Sequence, residues 1–493
     1  MITEICRELS EGQNVRNNLI ELRQLLKEQD VLDEWRAYHC EHPVLYALLS
    51  EEDAKIRKNA ALILGITDAD KAVDALYRSY EAEDKLFVKG AYLTAMTGLT
   101  IDKYTDSLQR RYDALIKSEP KENEKKHVKE ELHALRSLLQ SRKKEACHKF
   151  IGYEEEAELL LITNPNYREV TAAQIKKERP ALVPAGVKVI TTHLRELMEI
   201  RTYREMLFIL SGSHHIEAEP KAAAEAFLGS NLLELLNRMH EGNGAYAFRI
   251  EIRSRMSAQE KSSFIRRMAD RIEEQSAYKL VNSTDAYEIE LRLTLHKDGT
   301  FYPALKLFTI PMRRFSYRKQ SIAASIHPSS AALLMQLAKP YLKEQAQVLD
   351  PFCGVGTMLI ERDLLVPAGD MYGTDLFGEA ILKARENALA AGRAVNYINR
   401  DFFDFTHKYL FDEMVADMPL RGKKSKEEQD SFYGRFFDCA AGFLKAGGVM
   451  IIYSNENGFV KKQLRLHREY RLLDEYCIRK KDGFYLFIIG VKG

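Results

Sequence analysis

Asp350, Gly354, Gly356 and Thr357 stand close together in "VLDPFCGVGTMLIE", between an apolar run that reads as a strand and another that reads as a helix. Two glycines in so short a turn let backbone approach a ligand with no Cβ in the way, and the helix that follows offers unsatisfied N–H groups. Residue type excludes two common ligands. A triphosphate loop places Lys and then Ser or Thr after its glycines, and neither follows here. A dinucleotide loop needs a third glycine where this chain reads GVGTML. Asp350, at the strand end, repels a pyrophosphate and suits a cationic, amine-bearing ligand.

Three more acids close later strands. Asp375 ends "GTDLF" roughly 25 residues on, the place of an acceptor for ribose hydroxyls, and Phe377 beside it suits packing on adenine. Asp401 in "INRDFFDF" is placed to accept from the adenine amino group, and Asp417 in "VADMPLRGKK" ends the fourth strand. One such acid is an ordinary loop residue; four at successive strand ends point to a single crevice. S-Adenosylmethionine, with its ammonium and sulfonium, matches that set of groups.

The elements that must position these residues follow from the pattern of the chain. At 493 residues, two to four domains are expected. Hydrophobic residues make up 45% and charged residues 29%, a soluble globular balance, and the net charge of +1 demands local basic patches of any nucleic-acid binder. The cysteines (Cys6, Cys40, Cys147, Cys353, Cys439, Cys477) show no paired ligand spacing, so reduced thiols and no metal site are expected. The first residues carry no leader pattern and no run is long enough to span a bilayer, which points to the cytoplasm.

Residues 1–150 read as helices. "DAKIRKNAALIL" (Asp53 to Leu64) aligns with "DKLFVKGAYLTA" (Asp84 to Ala95), a repeat that suggests a short HEAT-like stack of helix pairs, with an ordinary bundle as the alternative. "SEPKENEKKHVKEELHALRSLLQSRKK" reads as a long solvated helix. Residues 157–315 mix strands and helices and close on a hairpin around Asp298-Gly299. Residues 316–493 alternate strand and helix, which predicts a doubly wound sheet with a terminal antiparallel hairpin at Asp482-Gly483.

"DPFCGVGT" and "DMPLRGKK" resemble the motifs of amino-group methyltransferases of the Rossmann class. The middle block looks like a THUMP module with its preceding ferredoxin-like part, on the pieces "AELLLITNPNYREVTAAQI", "AGVKVITTHLRELMEIRTYREMLFIL" and "RRFSYRKQSIAASIHPSSAALLMQLA", the last leading into such a catalytic domain. The chain thus resembles THUMP-containing RNA (guanosine-N2) methyltransferases from Ala157 onward. The resemblance implies an α-helical HEAT-like region, an α+β ferredoxin-like/THUMP region and an α/β Rossmann-like class I methyltransferase domain. It implies S-adenosylmethionine held by Asp350, Phe352, Gly354, Gly356, Thr357, Asp375, Phe377 and Asp401. It also implies transfer to N2 of guanosine in tRNA, with the THUMP module gripping the 3′ end as a ruler.

A base amine is a weak nucleophile, so its hydrogens must be accepted while it is held in line with the methyl. Asp417 and the Met418 carbonyl suit that, with Pro419 stiffening the turn. The family's aromatic is replaced by Leu420, so Phe432, Tyr433 or Arg421 must supply stacking, or activity is weakened. Lys306, Arg313, Arg314, Arg318 and Lys319 near the join, with Arg421, Lys423 and Lys424 in the basic loop, are expected to meet RNA phosphates. The runs "FRIEIRSR" and "FIRRMADR" add to them, and His327 reads as a helix-start residue. An RNA-binding protein with a vestigial pocket and an adenine-N6 methyltransferase acting on rRNA remain as rivals. The helical region suits an extra RNA or protein partner.

Overall fold

The computed structural model describes residues 2–38, 43–67, 69–116, 118, 120–121, 123–140, 148–212, 214–423 and 425–492. The chain divides into two compact units, Met1–Cys147 with Ala277–Lys279, and His148–Ser276 with Leu280–Gly493. No helix among the described residues is long and apolar enough to cross a membrane.

The first unit is helical: α1 (Ile2–Ser10), α2 (Val15–Leu25), α3 (Gln29–Tyr38), α4 (Pro43–Ala47), α5 (Ala54–Thr67), α6 (Val73–Ala82), α7 (Leu86–Ala95), α8 (Thr105–Ile116) and α9 (Lys125–Gln140). Helices α2, α5, α7 and α9 pack in succession, while α1, α6 and α8 pair with α2, α7 and α9. The two segments matched in the sequence lie on α5 and α7, neighbours in this stack. Buried acids brace it: Glu83 accepts from Arg57 at 2.7 and 2.9 Å, and Glu131 from Arg111 at 2.9 and 3.1 Å and from the Tyr80 hydroxyl at 2.7 Å. Glu131 lies on α9, so this charged stretch is not the solvated helix its composition suggests. Val128, Leu132, Leu135 and Leu138 are buried beside it together with Arg136, while Lys125, Lys126 and Glu130 lie on the outer face.

In the second unit β1 (His148–Phe150) pairs with β6 (His240–Gly242). An eight-stranded sheet follows in the order β3 (Ala181–Val183), β4 (Gly186–Thr191), β2 (Ala157–Thr163), β5 (Tyr203–Phe208), β10 (Phe301–Leu307), β9 (Ile289–Leu295), β7 (Tyr246–Arg253), β8 (Leu280–Asn282). Strand β7 runs parallel to β8 and β9, and the other pairs are antiparallel. Helices α10 (Arg168–Ala172), α11 (Leu194–Glu199), α12 (Pro220–Leu228), α13 (Leu232–Met239) and α14 (Ala258–Gln275) complete this part. The hairpin read from alternation is β9–β10, with Leu295 opposite Phe301 and Ile289 opposite Leu307.

The last sheet has the order β13 (Asn396–Asn399), β12 (Met371–Asp375), β11 (Val348–Asp350), β14 (Phe411–Asp417), β15 (Leu444–Ser454), β17 (Phe484–Val491), β16 (Tyr470–Arg479). β11 to β15 are parallel, and β17 runs antiparallel to β15 and β16, as the doubly wound reading with a terminal hairpin expects. Helices α15 (Pro328–Ala338), α16 (Thr357–Leu365), α17 (Gly378–Ala391), α18 (Lys426–Ala441) and α19 (Asn457–Leu466) link the strands. Strand order reverses between β11 and β14, the place where such sheets open a ligand crevice.

Candidate active site

β11 ends on Asp350, whose Oδ1 accepts the Phe352 N–H at 3.0 Å. The residue is buried, and its carboxyl is pushed well above the usual carboxylate range by burial and by the charges of Asp417 and Asp375. The three acids close neighbouring parallel strands, Asp350 on β11, Asp375 on β12 and Asp417 on β14. Asp375, closing β12, spans the glycine turn: its Oδ2 accepts from Gly354 N–H and its Oδ1 from Phe377 N–H, both at 2.9 Å. Gly354 has φ +52°, and a Cβ there would point into open space. Gly356 has φ +82°, and a Cβ would lie 2.1 Å from the Tyr397 hydroxyl. The Tyr397 and Thr357 hydroxyls are buried with no hydrogen-bond partner, beside the free N–H groups at the start of α16. Leu376 and Phe377 are 64% and 69% exposed, an apolar lip at the tip of β12.

Asp401 sits past the end of β13 and caps the short turn 402–404, one oxygen accepting the Phe403 N–H at 3.1 Å. Asp417 closes β14 and keeps an edge to solvent, yet lies deep among protein atoms. Burial raises its carboxyl to about 7, against the lowering pull of Arg479. Met418 N–H donates to the Tyr453 carbonyl at 2.9 Å, which ties the acceptor turn to β15. Leu420 is 55% exposed and offers an apolar surface without a ring.

Several expected roles need correction. Tyr433 is no stacking face, because it is fully buried and its hydroxyl bonds Ser454 at 2.7 Å. Phe432 packs among Phe352, Phe403 and Tyr433, and Phe352 also packs on Phe402 and Phe436, so neither ring stands free. Lys306 is bound to Glu205 at 3.0 Å, in a network with Arg292 and Arg253. Arg314 lies over the Tyr203 ring at 3.6 Å and donates to the carbonyls of Ile200, Tyr203 and Arg204, which makes it a structural clamp. In "FRIEIRSR", Arg249 is paired with Glu290 and Arg253 with Glu205. Arg313, Lys319, Arg421 and Lys423 are exposed, Arg318 is half-buried, and Lys424 lies outside the described residues. His327 caps α15, accepting the Ser329 N–H at 3.2 Å; burial and Arg204, Arg318 and Arg314 lower its imidazole to about 4.

Two groups at the crevice carry no sequence signal of their own. Tyr397 is the middle of "NYIN" and Arg479 the end of "YCIR"; each is aimed by strand pairing, β13 on β12 and β16 on β17. Glu361 on α16, also without a sequence signal, is buried and accepts from Arg201 at 2.7 and 2.8 Å and from the Tyr317 hydroxyl at 2.7 Å.

Residues 316–477 match the family model described as UPF0020, RMKL-like, methyltransferase domain. A Methanothermobacter thermautotrophicus protein named tRNA (guanine(10)-N2)-dimethyltransferase is 29% identical over 129 residues, covering 26% of this chain and 37% of that protein. An uncharacterized Mycoplasma genitalium protein is 31% identical over 119 residues, 24% of this chain and 25% of its own length. The alignments thus span well under half of either curated relative. Among solved structures, TrmN from Thermus thermophilus matches 69% of this chain and 100% of its own, with TM-score 0.51 and 20% identity. SMU.472, solved in complex with SAH, matches 69% of this chain and 98% of its own, with TM-score 0.51 and 14% identity. At these identities the structural likeness establishes the class I methyltransferase-like α/β fold of the C-terminal region.

Proposed function

We propose that this chain, whose residues 316–477 match the UPF0020, RMKL-like methyltransferase domain model, is an RNA methyltransferase acting on an exocyclic base amine, guanosine N2 in tRNA first. S-Adenosylmethionine is the cofactor, and when bound it supplies an electrophilic methyl on a positively charged sulfur. The observation that carries the reading is the placement of Asp350, Asp375 and Asp417 at the carboxyl ends of the neighbouring parallel strands β11, β12 and β14, where strand order reverses, with Asp375 accepting the Gly354 N–H of the turn after β11.

The residues present suit that cofactor. A buried carboxyl such as Asp350, with one backbone N–H donating to it, is stabilised further as an anion by a cation beside it, and the cofactor brings an ammonium and a sulfonium. The unpartnered Tyr397 and Thr357 hydroxyls and the first N–H groups of α16 suit a carboxylate. Asp375 is left with lone pairs for ribose hydroxyls, the Leu376–Phe377 lip suits an adenine face, and Asp401 has one oxygen for its amino group. Asp417, the Met418 carbonyl and Pro419 then receive the target amine and accept its hydrogens as charge develops.

A flipped or single-stranded base is the natural substrate, since a stacked amine cannot be approached in line. Arg313, Arg318, Lys319, Arg421 and Lys423 are the cations left to meet phosphates. Residues 157–315 serve as the ferredoxin-like and THUMP-like RNA-binding part, ahead of a catalytic domain at 316–493. Residues 1–150 form a HEAT-like array offering a further RNA or protein contact, and the protein works in the cytoplasm. The named relative supports tRNA over rRNA.

A non-catalytic RNA-binding role is the second reading, favoured by Leu420 and by the burial of Tyr433. Transfer of labelled methyl to tRNA separates the two. Asp417→Ala should lower turnover by about 10²–10³-fold while cofactor binding persists. Unchanged N2-methylguanosine in tRNA from cells lacking the protein would overturn the preferred substrate, and wild-type protein with no transfer to any RNA would favour the second reading.

A further inference from the structure

The segment ahead of α12 and the turn between β9 and β10 bring two imidazoles and a carboxylate together at the surface. We propose that His215, His296 and Asp298 form a binding site for a divalent transition-metal ion of zinc-like preference. Their donor atoms all lie within 4.8 Å of one another. His215 Nδ1 stands 3.4 Å and His296 Nδ1 3.2 Å from Asp298 Oδ2. Ligands of a tetrahedral ion held at about 2.0–2.1 Å are about 3.3–3.4 Å apart along the tetrahedron's edge, so both separations already match coordination.

The donors are apt in kind. Two imidazoles with one carboxylate suit a borderline ion, whereas Mg²⁺ and Ca²⁺ take oxygen ligands. The carboxylate is aimed from behind: Asp298 Oδ1 accepts from Thr300 N–H at 2.9 Å and Thr300 Oγ1 at 2.6 Å, which turns Oδ2 toward the two rings. Ile216, next to His215, pairs antiparallel with Phe301 through N–H to O bonds of 3.0 and 2.8 Å, so the two segments are held in register before any ion arrives. The imidazoles meet edge to face with centroids 5.4 Å apart. His215 Nδ1 rests 3.1 Å from Thr300 Oγ1, a contact that binding an ion would replace. All three side chains are about half exposed, which leaves a fourth position for water. His296 and Asp298 share one turn, but His215 comes from a separate segment and no cysteine is included, so the local spacing alone does not complete the set.

Bound there, the ion clamps the β9–β10 turn to the segment before α12. The test uses untagged full-length protein, stripped with chelator and titrated calorimetrically with zinc chloride, with X-ray absorption on the loaded sample. The expected result is one equivalent bound, two imidazole ligands in the absorption spectrum and a higher melting temperature. His296→Ala and His215→Ala should each weaken binding at least about tenfold with an unchanged circular dichroism spectrum, and Asp298→Asn likewise where the turn survives. Less than one equivalent in the wild type, or affinity in either histidine variant equal to that of the wild type, would mean an adventitious ion only and overturn the site.

Discussion

At the scale of single residues, Asp417 and Asp350 hold carboxyls that burial pushes upward, Asp417 to about 7 and Asp350 well above the usual carboxylate range. Their unfolded counterparts titrate near 3.8. Each group therefore contributes most to stability in acid, below the unfolded value, and that contribution is lost as the pH rises through the folded value. Asp417→Asn should accordingly raise the melting temperature of the cofactor-free protein, by more at pH 8 than at pH 4. A wild-type advantage at pH 8 would show that Asp417 has a cationic partner strong enough to offset its burial. The same group sets a rate profile. Wild-type kcat/KM should rise with pH through about 7, because only the ionised carboxylate accepts without first giving up a proton. An amide accepts at any pH, so Asp417→Asn should flatten that limb whatever its absolute rate.

Among elements, the close approach of α5 and α7 sets two effects against each other. Alanine is favoured over glycine in a helix by about 0.5–1 kcal/mol. A Cβ on Gly65 would nonetheless lie 2.3 Å from the Ala95 carbonyl oxygen, a backbone atom that cannot swing aside. Overpacking of this kind costs about 1–3 kcal/mol, so Gly65→Ala should destabilise the helical unit in urea denaturation; a gain in stability would mean the helices slide apart freely. The α5–α7 relation is visible as a repeat, and β11, β12 and β14 as short runs ending in acids, because buried parallel strands read as short apolar runs. Strands β1, β3, β6 and β8 left none, since three residues are too few for alternation to register, and α12 and α19 also went unseen. Lys306 and Arg314 were misread for a different reason. Their partners, Glu205 and the carbonyls around Tyr203, lie on or beside β5 about a hundred residues away, and a basic residue in a sequence does not announce which acid or carbonyl it will meet.

Over the second unit as a whole, what matters is how the eight-stranded part is fixed to the crevice. Arg201 reaches from the start of β5 to Glu361 on α16, the helix that begins at the glycine turn, and also bonds the Arg314 carbonyl. Asn164 and Asn166 donate to the carbonyls of Ile478 and Cys477 at 3.0 and 3.1 Å. If the first part grips RNA and the second modifies it, the spacing between grip and target depends on this join staying rigid. Arg201→Ala alone strands a buried carboxylate and should cost about 3–5 kcal/mol. Glu361→Gln added to it removes the charge, and the pair should recover much of that loss while leaving the join without its clamp. The double variant should then bind cofactor normally yet methylate full-length tRNA with a raised KM, while a short stem-loop that cannot reach the eight-stranded part is methylated as by the wild type. Equal losses on both substrates would place the effect in α16 and the glycine turn, and the join would then have no part in measuring RNA.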